Sequence, residues 1–386
     1  MLKVKLMNKI ASVGTDILVG KYEVGADLVN EDAIMVRSAA LHDMEFAPNL
    51  RAIARCGAGV NNIPVDKCTK EGIVVFNTPG ANANAVKELV LATLILASRD
   101  IVGGISWVKT LAGQEGIAKA VEAGKSAFVG HELAGKTLGV IGLGAIGGMV
   151  ANAAISLGMN VMGYDPYITA KAAWSLAPSV RQAADYAEIF RSCDYITLHV
   201  PATPQTKNMI CESSIAQMKD GVRILNMSRA DLVNASDIKK ALEAKKVAVY
   251  ATDFPTEETV GVDGIIAIPH LGASTVESED HCAFMAAQQL DEFLSCGNIR
   301  NSVNFPAVSV PRSEHPRVCI MHENVPNMLA QITSTFSAQH INIENFANGS
   351  RGDVAYTIVE TNAKADENVV AALKAISGVF GVREFH

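Results

Sequence analysis

The sequence predicts an α/β protein of more than one domain, with parallel sheets covered on both faces and a smaller strand–helix–strand–strand–helix unit at the C-terminal end. Three observations carry this. The chain has 386 residues, 49% hydrophobic and 19% charged, and at about 150 residues per domain that means two or three domains, each able to fill a core. Short, near-continuous β-branched runs alternate with helical stretches, the pattern of strands buried on both faces. Residues 301–316 (NSVNFPAVSVPRSEHP) hold three prolines and no helical period, which predicts a linker before the last unit.

In chain order, strands are expected at 33–37 (AIMVR), 52–56 (AIARC) and 73–76 (IVVF). Further strands are expected at 137–141 (TLGVI), 160–164 (NVMGY), 195–199 (YITLH), 223–226 (RILN), 247–251 (VAVYA) and 265–268 (IIAI). Long helices are expected at 84–99 and 276–295. These two helices bracket the middle of the chain, so the simplest arrangement inserts one domain into another. The boundaries expected are 1–98 with 285–304 for the outer domain, 99–284 for the inserted one, 305–316 for the linker and 317–386 for the last unit. That unit reads as strands at 317–321, 341–346 and 354–360 with helices at 328–340 and 367–377, and a final strand after them.

Composition excludes several function classes. Forty acidic residues against 33 basic ones give −7, and a general nucleic-acid binder needs a basic face. No apolar run reaches about 18 residues, so no membrane span is expected. Lysines interrupt the first ten residues (MLKVKLMNKI), which do not read as a signal peptide. Seven cysteines without a CxxC pair or a metal-ligand spacing suggest reduced thiols, a cytoplasmic location and no metal site.

The strongest local motif is TLGVIGLGAIG at 137–147. Gly142, Gly144 and Gly147 follow a strand and open a helix. The first allows a tight turn, the second lets backbone approach a pyrophosphate, and the third lets helix and strand pack closely. Asp165 ends the next strand 18 residues after Gly147. A carboxylate there suits ribose hydroxyls and repels a 2′-phosphate, which favours NAD over NADP. Hydride transfer from an alcohol also needs a base and a cation. Arg229, Glu258 and His270 follow three successive expected strands of the same region, in NMSRADLV, ATDFPTEETV and IPHLGAST.

The cofactor glycines with NMSRA, ATDFPTEE and PHLGAST resemble the D-isomer-specific 2-hydroxyacid dehydrogenases. RCGAGVNN (55–62) and GIVVFNTPGANANAVKEL (72–89) are similar to the phosphoglycerate-oxidising branch of that family. The resemblance covers essentially the whole chain. It implies a Rossmann-type NAD domain inserted in a flavodoxin-like α/β substrate domain, plus a C-terminal ferredoxin-like ACT domain. It implies NAD-dependent oxidation of 3-phosphoglycerate to 3-phosphohydroxypyruvate, the entry to serine synthesis. His270 would exchange the proton of the C2 oxygen, Glu258 would support the imidazole, and Arg229 would fork onto the substrate carboxylate. Cofactor positions implied are Thr78, Gly142, Gly144, Ala145, Ile146, Gly147, Asp165, Val200, Pro201, Met227, Ser228, Asp253, Gly272 and Ala273, with His199 structural. Substrate positions are Arg37, Ser38, Arg55, Gly57, Ala58 and Gly59, the two arginines on the phosphate; Lys125 is a further cation before the dinucleotide strand. The chain departs from the family at Phe254 and Thr259, where valine and proline are usual.

The last unit resembles serine-sensing ACT modules, which implies effector contacts at His322, Asn324 and Asn342, between two paired units. Asn327 stands where that family commonly has glycine. At least a homodimer, or a homotetramer, is implied, with no nucleic-acid or membrane partner. Two alternatives remain open at this point: the same chemistry on an unphosphorylated acid such as glycerate or hydroxypyruvate, and a non-catalytic, amino-acid-responsive binding protein.

Overall fold

A computed structural model describes residues 1–385. They separate into two compact units, Met1–Asn82 together with the chain from Val276 onward, and Ala83–Thr275. The first unit begins β1 (Lys3–Leu6), α1 (Ser12–Leu18), β2 (Glu23–Gly25), β3 (Ala33–Val36), β4 (Ala52–Arg55), α2 (Val65–Lys70) and β5 (Val74–Phe76). Its strands pair in parallel in the order β2-β1-β3-β4-β5, which is the flavodoxin-like order. The three strands that the sequence predicts, β3, β4 and β5, are buried almost throughout. The two it does not predict are half-exposed, and lysines interrupt β1, so no continuous apolar run announces them.

The second unit comprises α3 (Ala83–Ser98), α4 (Ile101–Thr110), α5 (Ile117–Gly124), β6 (Thr137–Ile141), α6 (Ala145–Ser156), β7 (Asn160–Tyr164), α7 (Ala170–Trp174) and β8 (Arg181–Gln182). It continues with α8 (Tyr186–Ser192), β9 (Tyr195–Leu198), α9 (Glu212–Gln217), β10 (Val222–Asn226), α10 (Ala235–Glu243), β11 (Val247–Thr252) and β12 (Ile265–Ala267). The sheet is parallel, ordered β12-β11-β10-β9-β6-β7-β8. That is a Rossmann sheet with one added strand, and its order reverses between β6 and β9. Helix α3 belongs to this unit rather than to the outer domain. Val86, Val90, Leu94 and Ala97 line one face at helical spacing and are buried, and the helix packs on α6, β10 and β11. The first crossing therefore falls at Asn82/Ala83, not at 98/99. The second falls at Thr275/Val276, not at 284/285, because all of α11 (Val276–Cys296) packs with α1, β3, β4 and β5.

After α11 the first unit is completed by β13 (Arg317–Glu323), α12 (Met328–Ala338), β14 (Ile343–Arg351), β15 (Val354–Thr361), α13 (Glu367–Ala375) and β16 (Val379–Phe385). They form an antiparallel sheet ordered β14-β15-β13-β16, of ferredoxin-like topology. Strand alternation divides β13 between two cores. Val318 and Ile320 face α12 and α13 with Met328, Ile332, Phe336, Val369 and Leu373. Cys319 and Met321, with Tyr356, Ile358 and Phe385, join a core that also holds Val4, Phe76, Leu290 and Phe293. The tail thus packs as a layer on the five-stranded parallel sheet. The stretch expected as a linker is packed as well: Phe305, Val308 and Val310 are buried, and Ile299 bridges Val308. Its prolines exclude a helix, but its apolar residues still find the core.

Arg317 is fully buried and fixes this junction. Its guanidinium donates to Glu360 Oε1 at 2.7 and 3.2 Å, and to the carbonyls of Cys296, Val310 and Pro311 at 2.8, 3.1 and 3.0 Å. Asn298 Oδ1 accepts at 3.1 Å. Arg383 reaches across to Arg51 O and Gly72 O and lies over the Phe293 ring; burial brings its pKa down to about 10. No single helix among the described residues is long and apolar enough to cross a membrane, although the bent pair α3 and α4 meets that length and composition together.

Candidate active site

In the Ala83–Thr275 unit the glycine turn stands at the carboxyl end of β6, where the sheet order reverses. Gly142 takes a left-handed φ of 89°, and a β-carbon on Gly147 would collide with the Gly142 carbonyl. A β-carbon on Gly144 would meet nothing within 4 Å, so space is open above the turn. Gly144 caps α6 without a side-chain hydrogen bond, which leaves the first-turn N–H groups for an anion. These features fit a dinucleotide pyrophosphate. Asp165 lies beside this turn: its Oδ2 accepts from Leu143 N at 2.9 Å and its Oδ1 from Tyr167 N. Val200 follows β9, and its carbonyl accepts from Ser228 Oγ at 3.1 Å. His199 hydrogen-bonds Thr197 at 2.9 Å through Nε2, and burial lowers its pKa to about 4, so it is neutral.

Arg229 is presented by a short turn after β10, and the organiser of that turn is Asn226. The Asn226 carboxamide is fully buried; its oxygen accepts from Ser228 N and Arg229 N at 3.2 and 3.3 Å, and its nitrogen donates to Arg229 O at 2.8 Å. His270 is exposed at a left-handed φ of 51°. The turn behind it is clamped by Asp253, whose carboxylate accepts from Leu271 N at 2.7 Å and Gly272 N at 2.8 Å. Burial raises the pKa of that carboxyl against these hydrogen bonds. Asp253, the residue expected near a nicotinamide amide, also braces the histidine turn. Phe254 lies against both the Arg229 and the His270 side chains. Its ring lies 4.5 Å from the His270 ring, and the Arg229 guanidinium stands 5.7 Å from its centroid. No hydrogen bond or ion pair joins Glu258 to His270 among the described residues. Glu258 instead lines a cleft of about 600 Å³ with Asn208, Asp231, Asn234 and Glu257.

The first unit gathers the expected substrate residues at its own sheet reversal, between β1 and β3. Asn8 follows β1, and its Oδ1 accepts from three successive backbone groups, Arg37 N, Ser38 N and Ala39 N, at 2.9, 3.0 and 3.1 Å. Arg37 Nη2 stands 2.6 Å from Glu279 Oε1 in the first turn of α11. Gly57, Ala58 and Gly59 follow β4; Gly57 O accepts from Thr78 N, and Ala58 O from Asn77 Nδ2 at 2.7 Å. Thr78 is fully buried with its hydroxyl unpartnered. Arg55 begins this loop, half-buried. Sequence reasoning did not single out Asn8, Asn226 or Glu279. A lone asparagine after a strand and an acid at a helix start carry no spacing signal.

In the tail, His322 is buried and both ring nitrogens are engaged, with Glu323 O at 2.8 Å and Thr357 Oγ1 at 2.9 Å. Asn324 follows β13, whereas Asn342 precedes β14 and bonds Asn362 across from the far end of β15. The three expected effector residues thus lie at opposite ends of one sheet and do not converge within a chain. No cluster of metal-ligating side chains occurs among the described residues.

Residues 91–273 match the D-isomer specific 2-hydroxyacid dehydrogenase, NAD binding domain. The chain is 33% identical over 341 residues to a D-3-phosphoglycerate dehydrogenase of Methanocaldococcus jannaschii, covering 85% of this chain and 62% of that protein. It is 33% identical over 352 residues to the enzyme of that name from Haemophilus influenzae, covering 88% of this chain and 82% of that one. The solved NAD+-bound 3-phosphoglycerate dehydrogenase of Entamoeba histolytica superposes with a TM-score of 0.61 at 26% identity. It covers 78% of this chain and 98% of its own.

Proposed function

Because this chain belongs to the D-isomer specific 2-hydroxyacid dehydrogenases, NAD-dependent oxidoreductases, and within them to the D-3-phosphoglycerate dehydrogenases, we propose that it oxidises 3-phosphoglycerate to 3-phosphohydroxypyruvate. The observation that carries the chemistry is the shared placement of Arg229 and His270 about Phe254 at the carboxyl ends of the Rossmann strands. NAD, when bound at the Gly142–Gly147 turn, supplies the hydride acceptor. His270 takes the C2 hydroxyl proton, and its exposure leaves the imidazole free to do so. Arg229 holds the substrate carboxylate and polarises the C2 oxygen. Glu258 supports the imidazole; this role rests on its alignment with the family. Gly57–Gly59 offer backbone donors to the carboxylate, and Arg37 and Arg55 hold the phosphate.

One observation favours the reading with an unphosphorylated acid: Arg37 is already held by Glu279. The two readings separate in one assay, absorbance of reduced nicotinamide with a panel of 2-hydroxy and 2-keto acids with and without phosphate. Under the proposed reading Arg37→Ala loses turnover selectively on the phosphorylated substrate. An equal loss on both classes, or none, refutes it.

The chain assembles with a second copy. Ile101, Val102, Ile105 and Val108 on α4 are exposed, an apolar row that a partner subunit covers. A second pairing through the free edge of β14 sets Asn342 of one tail near Asn324 of another and forms the ACT-type serine site. Calorimetric titration with serine tests it, and absence of heat with unchanged turnover refutes it. Seven free cysteines support a cytoplasmic setting.

A further inference from the structure

We propose that Glu279 is a built-in competitor for the anion that Arg37 binds, and that it sets how strongly the enzyme prefers a phosphorylated acid; this rests on the phosphate role given to Arg37 above. The position is that of a ligand site. In an open parallel sheet, ligands sit beyond the strand ends where the order reverses, and here that point lies between β1 and β3. The backbone at this point is fixed, because the single oxygen of Asn8 holds the N–H groups of Arg37, Ser38 and Ala39. Arg37 therefore starts from a defined place, and its guanidinium spends one edge on Glu279 at 2.6 Å. Both side chains are 41% exposed, so the pair is open to an incoming anion.

An exposed ion pair is weak enough to be displaced, whereas a phosphate dianion forks onto a guanidinium with two charge-assisted hydrogen bonds. Displacement does not remove the carboxylate. Glu279 is carried on the 21-residue helix α11, whose inner face is fixed by Cys282, Ala286, Leu290 and Phe293. A dianion on Arg37 is then met by a neighbouring negative charge, and like charges at that range repel. An unphosphorylated acid does not reach for Arg37 and is indifferent to Glu279. The carboxylate thus holds down affinity for one substrate class only.

The test is Glu279→Gln, which keeps the shape and removes the charge. The ratio of kcat/KM for the phosphorylated over the unphosphorylated acid rises roughly two- to fivefold, the range an exposed pair sustains, through a lower KM for the phosphorylated one. The same substitution made on Arg37→Ala leaves that ratio at the Arg37→Ala value. An unchanged or lowered ratio in Glu279→Gln overturns the inference and makes Glu279 a residue that positions Arg37. Should the starting chain turn over no phosphorylated acid, the proposed reaction fails by itself. Calorimetry with inorganic phosphate then still decides this point, because tighter binding by Glu279→Gln upholds it and equal or weaker binding overturns it.

Discussion

Replacing Arg317 by methionine removes the guanidinium at the junction of tail and body while keeping much of the side-chain volume. Glu360 then keeps a charge at a site where its side chain is 3% exposed, and the carbonyls of Cys296, Val310 and Pro311 lose their donor. Removing one partner of a buried ion pair costs about 3–5 kcal/mol. With a urea dependence of about 2–3 kcal/mol per molar, the transition of this unit falls by roughly 1–2.5 M. The two tryptophans, Trp107 and Trp174, both lie in the Ala83–Thr275 unit. Tryptophan fluorescence therefore keeps its midpoint, while far-ultraviolet circular dichroism gains an early transition. In the unsubstituted protein, burial pushes the Glu360 carboxyl up, but hydrogen bonds from Arg317 and Ser313 and the arginine charge outweigh it and hold the pKa below its ordinary value of 4.5. A depressed carboxyl contributes stability that is complete above the unfolded pKa and disappears as pH falls through the folded one. The early dichroism transition should thus appear in the parent chain only on acidification below about pH 4.5. A variant within about 1 kcal/mol of the parent at neutral pH refutes the reasoning, since the network would then not hold the tail.

His270→Ala lowers kcat by about 10²–10⁴-fold, the usual contribution of a general base, and leaves NAD affinity nearly intact; a rate near that of the parent removes the residue from the mechanism. Gly147→Val drives a side chain into the Gly142 carbonyl, so NAD binding is lost and the tryptophan-reported transition falls by about 1–3 kcal/mol, with unchanged calorimetric NAD affinity as the contrary result. Asn226→Asp replaces the donor to Arg229 O with an acceptor at a fully buried site. The turn under Arg229 loosens and kcat/KM falls about tenfold or more, equivalent to about 1.4 kcal/mol; an unaltered kcat/KM shows that the arginine is placed by other contacts.

What the sequence made legible follows from which interactions are local. The glycine turn, Asp165 and strands such as Ala33–Val36 and Tyr195–Leu198 announce themselves because turn geometry and two-sided burial constrain residue type position by position. The tail unit was readable from the order of its strands and helices along the chain, two helices separating its strands. Beyond reach were residues whose role depends on a partner distant in the chain. Asn8 acts on residues about thirty positions away, and Glu279 meets Arg37 from 242 positions away (279 − 37). Asp253 was legible as important, but nothing local says that its carboxylate also turns to Leu271 and Gly272. Phe254 had one visible signal, an aromatic ring directly after that aspartate, but its contact with both Arg229 and His270 required the fold. The domain crossings were displaced for a similar reason: helix length shows that α3 and α11 are long, and only packing shows which sheet each one covers.

The two-sided strand β13 has a hereditary consequence. Cys319, Met321 and Phe385 fill space that Phe76, Leu290 and Phe293 also fill, so the tail and the body do not vary as separate modules. A bulkier residue on one is accepted only with a smaller one on the other. A descendant that dropped everything after residue 316 would first have to repaint the bared flank of α11 and β5 with polar side chains, and a tail borrowed from a distant cousin would arrive with the wrong relief on its underside.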